Sequence, residues 1–233
     1  MRSTTSSSSG PRRPAATGAD DLTTRARIRD AAIARFARDG FGASLRTIAA
    51  DAGVSAGLVV HHFGSKDGLR AACDTSVFEA VRDAKTEAVS PENPDAGPMS
   101  LLAQLATIED YAPVFEYTLR SLQAGGDLAR SFVAHLTEVT QEYLAAGVAA
   151  GTIRPSRDEA ARASYLVSLS LGSLLVDGVL RDRTEPRDPG ADLREYVGRV
   201  MLPALEVFTE GLFVEPTLLD AYVQHTTHQE ETP

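Results

Sequence analysis

Residues 44 to 70, SLRTIAADAGVSAGLVVHHFGSKDGLR, constrain the fold of this chain more than any other stretch, because two tight corners sit in them between short apolar helices. Ser44 is placed to open a helix from Leu45 to Ala52, its hydroxyl accepting a hydrogen bond from an N–H that the first turn leaves unpaired. Ile48, Ala49 and Ala52 recur at helical spacing and form its buried face. Gly53 ends that helix, Val54 plugs the corner, and Ser55 caps a second helix from Ala56 to Phe63. Ala49 and Gly53 are both minimal residues, so the second helix crosses close to the first and projects outward. That is the geometry that sets a helix into a DNA major groove.

The segment resembles the amino-terminal signature of the tetracycline-repressor (TetR) family of bacterial transcriptional regulators. That signature is an apolar helix, T-x-x-x-I-A-x-x-A-G-V-S, a short recognition helix ending in H-x-F, and S-K-x-x-L. Ile48, Ala49, Ala52, Gly53, Val54, Ser55, Gly57, His61, Phe63, Ser65, Lys66 and Leu69 fall in register, with Ser44 where the family usually has threonine. The departures are Ala56, Leu58, Val59, Val60 and His62, where the family commonly carries lysine, threonine, an aliphatic residue and aromatic groups. The match covers the first third of the chain well. Further on, GTIRPSRDEAARA resembles the family's turn before its penultimate long helix, and Ser156 with Glu159 reads as a capping box there.

The resemblance implies an all-α protein: a helix-turn-helix head over residues 21–66, then a helical ligand-binding and dimerisation body over 67–230. It implies a homodimeric repressor that binds a palindromic operator in double-stranded DNA and is released by a small-molecule effector. The residues expected to face DNA are Arg27, Ser44, Arg46, Ser55, Ala56, Gly57, Leu58, Val60, His61, His62 and Lys66.

A net charge of −9 fits a DNA binder only when it is divided along the chain. Residues 1–80 hold 11 Lys/Arg against 8 Asp/Glu, whereas the remainder holds 12 against 24. The acidic part can stay away from phosphate, while Arg25, Arg27, Arg29, Arg46, Lys66 and Arg70 are available to meet it. Lys66, one of two lysines, follows Ser65 at a helix start, where free N–H groups and the helix dipole already favour an anion. Residues 1–20 are Ser, Thr, Arg, Pro and Ala-rich without an apolar core segment. They read as a disordered basic tail, not as a signal peptide. Cys73 stands alone, which fits a reducing compartment, and the expected location is the cytoplasm. No uninterrupted apolar run of about 18 residues occurs, so no membrane association is expected.

The rest of the chain reads as helices. Ile28, Ala32 and Phe36 repeat every fourth residue over Leu22 to Arg38, and Gly40 stops that helix. A long helix from Lys66 to Val89 ends before the proline-rich SPENPDAGPM. Further helices are expected at 99–109, 113–124, 127–150, 157–181, 191–211 and 216–229. The run YLVSLSLGSLLVDGVL and the stripe from Leu193 to Leu212 are too apolar for solvent, and Pro203 should kink the second. Either they close the core of one protomer or, as the resemblance implies, they form a four-helix dimer interface through Leu169, Gly172, Leu175, Val197, Val200, Met201, Leu205 and Phe208. The resemblance also places a ligand pocket in the body, for which Met99, Phe115, Tyr117, Phe132, His135, Tyr165 and Asp177 are candidates. Tyr117, Phe132 and His135 lead, being on the central helices.

Catalytic and metal chemistry finds little support in the sequence, although a Ser, His and Asp triad assembled in space stays open. His61 and His62 are adjacent, so on a helix they point about 100° apart and cannot share a metal. His225 and His228 are one turn apart but sit in a polar tail. Neither a phosphate-binding glycine loop nor G-x-S-x-G nor H-E-x-x-H is present. Two alternatives stay open: a carrier or enzyme-like helical body whose DNA head is auxiliary or degenerate, and an activator or nucleoid-type protein with broad DNA binding.

Overall fold

A computed structural model describes residues 18–89, 98–180 and 188–230, and every regular element among them is helical. Helix α1 (Gly18–Asp39) buries Ile28, Ala32 and Phe36, the residues spaced by four, completely. It starts four residues before Leu22, inside the stretch read as a disordered tail; Asp20 and Asp21 in its first turn complement the positive end of the helix. Residues 1–17 of that tail lie outside the described residues. Gly40 closes α1 with φ 76° and donates its N–H to the Phe36 carbonyl at 2.9 Å.

Helices α2 (Leu45–Asp51) and α3 (Ala56–Phe63) are opened as the sequence suggests. The Ser44 hydroxyl accepts from the Thr47 N–H at 3.1 Å, and the Ser55 hydroxyl from the Leu58 N–H at 3.2 Å. Gly53, at φ 65°, makes the corner between them. Ser65 caps α4 (Lys66–Val89) through the Gly68 N–H at 3.0 Å. A Cβ at position 68 would run into the Phe63 carbonyl, so the α3–α4 corner closes over a bare glycine.

The chain forms two compact units. In the first, α1 to α4 continue into α5 (Pro98–Ala106), α6 (Ala112–Gln123), α7 (Gly126–Ala149) and α8 (Glu159–Leu180). One apolar core runs through it: Ile28, Phe36, Ile48, Val59, Leu69 and Val77 pack in the same cluster as Tyr117 of α6 and Phe132 of α7. The head therefore shares its core with the body. Helix α8 is long and apolar enough to cross a membrane by length and composition; Ala163, Val167, Leu171 and Leu174 on one side of it are buried, and the helix packs along α7. At its start only half of the expected capping box forms. Glu159 accepts from the Ser156 N–H at 2.7 Å, but Asp158, directly before the first helical residue, takes the cap by accepting from the Ala161 N–H at 2.8 Å.

The second unit holds a 3₁₀ turn (Ile108–Tyr111) that the sequence reading missed, α9 (Pro189–Thr209) and α10 (Thr217–Glu230). Asp188 caps α9, Pro189 occupies its first turn, and the helix continues through Pro203. Glu109 of the 3₁₀ turn pairs with Arg194 and packs against Gly190. The residues of the proline-rich segment from 90 to 97 lie outside the described residues.

Two polar links run from α6 inside the first unit, one to α4 behind the head and one to the end of α1 in the head itself. Tyr117 is fully buried among the rings of Phe36, Phe41 and Phe132, and its hydroxyl donates to Asp74 of α4 at 2.6 Å. Arg120, one turn along α6, donates to the carbonyls of Ala37 and Arg38 at 2.9 and 3.2 Å, capping the negative end of α1. Burial pushes the Asp74 carboxyl above its ordinary value, against the opposing pull of Tyr117 and Arg70. A carboxyl raised in the folded state stabilises the fold below its unfolded pKa of about 3.9 and loses that contribution as pH rises through the folded value. Asp74→Asn should therefore melt higher than the parent at pH 7.5, with an advantage that vanishes towards pH 4. The Asp39 and Asp51 carboxyls, held low by Arg35, act equally in both proteins and cancel. Thermal melts across that range decide it; an advantage independent of pH would contradict the assignment to Asp74 ionisation.

Candidate nucleic-acid interface and the core behind it

Helix α3 has a buried side and an exposed side that differ in chemistry. Val59 is fully buried, and Leu58 and Phe63 are half-buried. Ala56, Gly57, Val60 and His61 are exposed and form one stripe, since they are related by three and four residues. His62 turns the other way: its side chain is 4% exposed, with Nε2 3.7 Å from Asp21 of α1. That nitrogen is buried without a hydrogen-bond partner. Of the two adjacent histidines expected to face DNA, the structure leaves His61 outside and puts His62 within the head, because a 100° step on a helix separates an outward from an inward position.

The cations sort in the same way. Arg27 on α1 and Arg46 in the first turn of α2 are exposed, and Lys66 is half-buried in the first turn of α4. Arg25 lies over the Phe63 ring, 5.2 Å from its centre, and Arg29 pairs with Asp30 at 2.8 Å. Arg70 is not a phosphate-facing residue: it is buried, its guanidinium sits 3.6 Å over the Phe41 ring, and its Nε has no partner. Its place is one helical turn before Asp74. Arg35, which the sequence reading passed over, makes a bidentate pair with Asp51 at 2.6 and 2.5 Å. It holds the end of α2 to α1 and keeps the Asp51 carboxyl below the usual range. Cys73 is buried, as expected for a small helix residue, and burial pushes its thiol up to about 12.

Three of the pocket candidates lie along one run of rings, Tyr117 meeting Phe132 at 6.4 Å and Phe132 and His135 both meeting Phe78. Tyr117 and Phe132 belong to the core shared with the head. Their expected role as ligand contacts was read from their aromatic character and central helices, which core residues share. His135 is exposed on α7; its ring stacks on Phe78 at 5.6 Å and its Nδ1–H donates to the Ser131 carbonyl at 2.9 Å. Phe78, not singled out from the sequence, also meets Phe132 at 4.9 Å. Phe115 is half-buried, Tyr165 is 65% exposed, and Asp177 is buried on α8. The Met99 side chain lies outside the described residues.

The candidates for a dimer seam divide by exposure. Leu169 and Leu175 on α8, and Leu205 and Phe208 on α9, are exposed. Gly172, Val200 and Met201 are half-buried, and Val197 is buried within its own protomer. Among the described residues no group of three or more His, Cys, Asp or Glu is arranged to hold a metal, and the His228 side chain lies outside them.

Comparison with known proteins agrees with this arrangement. Residues 28–73 match the family described as bacterial regulatory proteins, tetR family, and residues 109–214 match the tetracyclin repressor-like, C-terminal domain. Over 203 residues the chain is 47% identical to the HTH-type transcriptional regulatory protein RaaS of Mycobacterium tuberculosis, covering 87% of this chain and 93% of that one. Its fold is similar to that of a TetR-family transcriptional regulator from Pectobacterium atrosepticum, at 22% identity and a TM-score of 0.50, covering 86% of this chain and 100% of that chain. It is also similar to a putative TetR-family regulator from Rhodococcus sp., at 24% identity and a TM-score of 0.52, covering 77% and 99%. With its capped α2–α3 corner in the head and a relative that aligns along most of its length, the chain belongs to the tetracycline-repressor family of DNA-binding transcriptional regulators.

Proposed function

We propose that this protein is a homodimeric repressor, acting in the cytoplasm, that holds a palindromic operator through α3 and releases it when a small molecule occupies the helical body. Its part is binding, not catalysis. The observation that carries the DNA-facing assignment is Gly57. A Cβ there would meet only the Ser55 hydroxyl, at 3.9 Å, and the backbone needs no left-handed conformation. Glycine is worse than alanine inside a helix by up to about 1 kcal/mol. The fold alone would prefer alanine, so the bare Cα serves a close approach from outside. Arg27, Arg46 and Lys66 around α3 supply cations for phosphate, with Ser44 and Ser55 at the two helix starts.

The dimer reading rests on the apolar stripes of α8 and α9. Leu175, Val176 and Val179 on one helix, and Leu202, Leu205 and Phe208 on the other, are large apolar residues left in water by a single protomer. A second copy would cover each stripe. Release by an effector needs a difference in its affinity for the DNA-competent and DNA-incompetent arrangements. A hundredfold loss of operator affinity corresponds to about 2.7 kcal/mol. Helix α4 is the natural lever, because it carries Lys66 at its start and Asp74 and Phe78 along its length.

Three measurements test these assignments. Gly57→Ala should melt no lower than the parent while losing about tenfold or more in affinity for DNA upstream of its own coding sequence, roughly 1.4 kcal/mol. Unchanged binding would move the interface away from α3, and absence of binding by the parent would favour a body with a degenerate head. Lys66→Ala should weaken binding to all sequences alike and reduce the slope of log affinity against log salt by about one, because a phosphate contact positions without reading bases. A sequence-selective loss would make Lys66 a base reader instead. Leu205→Asp should halve the sedimenting mass without unfolding the protomer, since it would bury an unpaired carboxylate only in the dimer. An unchanged mass would place the seam elsewhere.

A further inference from the structure

We propose that α3 reads its operator chiefly through the C5-methyl groups of thymine, with Val60 as the residue that reads them. The inference rests on the DNA-binding role assigned above. Base pairs are ordinarily distinguished in the major groove by side chains that form paired hydrogen bonds: Arg or Lys with guanine, Asn or Gln with adenine, Asp or Glu with cytosine. Helix α3, AGLVVHHF, contains none of these. Its exposed stripe is Ala56, Gly57, Val60 and His61, so three of the four residues are apolar. His61 is the single polar side chain on that stripe. One imidazole N–H serves a guanine acceptor or a phosphate equally well and cannot discriminate as a paired contact does.

Val60 is exposed where the fold gives no reason for it. Among the described residues of α1 to α4, only Leu22 and Val60 are large apolar side chains in this class, at 69% and 45% exposure. Valine is also a poorer helix former than the lysine, alanine or leucine that would suit a solvated position on an eight-residue helix. Pressed into a major groove, its two methyls strip water from base edges and return no hydrogen bond to the donors and acceptors there. The groove offers one group that gains from such contact, the thymine methyl. Gly57, one turn before Val60, lets the helix come close enough for a side chain as short as valine to reach. The exposed Arg27 and Arg46, with Lys66, would hold the helix in register through the backbone.

The test uses the full chain. Duplexes bound from a random pool define the half-site, and each thymine in it is then replaced by uracil, which deletes the methyl and leaves the hydrogen-bonding edge intact. At one or two positions the affinity at fixed salt should fall about fourfold per half-site, the effect of one buried methyl. Val60→Ala should melt like the parent, because the side chain lies outside the core, and should bind thymine and uracil operators equally. The two changes would then be non-additive, as expected for groups in contact. Cytosine at the sensitive position should bind more tightly to the parent once it is 5-methylated. A fully uracil-substituted half-site bound as tightly as thymine would overturn the proposal, and so would a uracil penalty that survives in Val60→Ala. A pool that yields no enriched sequence would instead overturn the sequence-specific DNA-binding reading beneath it.

Discussion

The first compact unit depends on a hydroxyl and a carboxylate that meet at 2.6 Å inside an aromatic cluster, Tyr117 of α6 and Asp74 of α4. Phe36 and Phe41 of the head and Phe132 of α7 surround the tyrosine ring. Such a polar pair is stable in an apolar setting only when both partners stay in place, since leaving either unsatisfied costs about 1–3 kcal/mol. It therefore fixes the register of α6 against α4 more sharply than the surrounding apolar contacts, which tolerate sliding. Arg120 adds a second constraint from the same helix by donating to the last carbonyls of α1. With α1 and α4 both held by α6, the head cannot turn on the body without breaking charged or buried hydrogen bonds.

That joint bears on how an effector could act. Between α4 and α7 the flat stack of His135 on Phe78, and the tilted contact of Phe78 with Phe132, run from the aromatic cluster to the exposed surface of α7. A molecule displacing His135 or Phe78 would disturb side chains that touch Phe132, and Phe132 touches Tyr117. Packed aromatic rings do not compress, so displacement there is resolved by a shift of whole helices. Tyr117 and Phe132 look like ligand contacts in a sequence because they are aromatic residues on central helices, although neither has an exposed face.

Local features of the head were legible because their partners are close in the chain. Ser44, Gly53, Ser55 and Ser65 act within three or four residues, and the ends of α2, α3 and α4 follow from them almost residue for residue. Arg70 was misread and Arg120 passed over because their partners are remote or unsignalled by any period. Arg120 meets carbonyls 82 and 83 residues earlier, and an arginine above a ring looks in sequence like any other surface cation. His62 failed for a subtler reason: a recognition helix of two turns has room for one exposed stripe, and two adjacent histidines cannot both lie on it. The 3₁₀ turn from Ile108 to Tyr111 leaves no apolar period to detect, being only four residues long.

Where local preference and fold disagree, function is the usual reason. In α1 to α4 the disagreements fall in two groups. Gly57 and Val60 are poor choices for an exposed helix surface, and both lie on the outward stripe of α3. Arg70 and Asp74 are poor choices for a core, and both lie at the junction with the body. Apart from the buried His62 and the exposed Leu22, the interior of α1 to α3 is made of alanines, isoleucines, phenylalanines and Val59, with serines starting α2 and α3. Gly57 and Val60 lie on the face proposed to meet the operator, and Arg70 and Asp74 at the joint behind it. Those are the two places where a regulator must do more than fold.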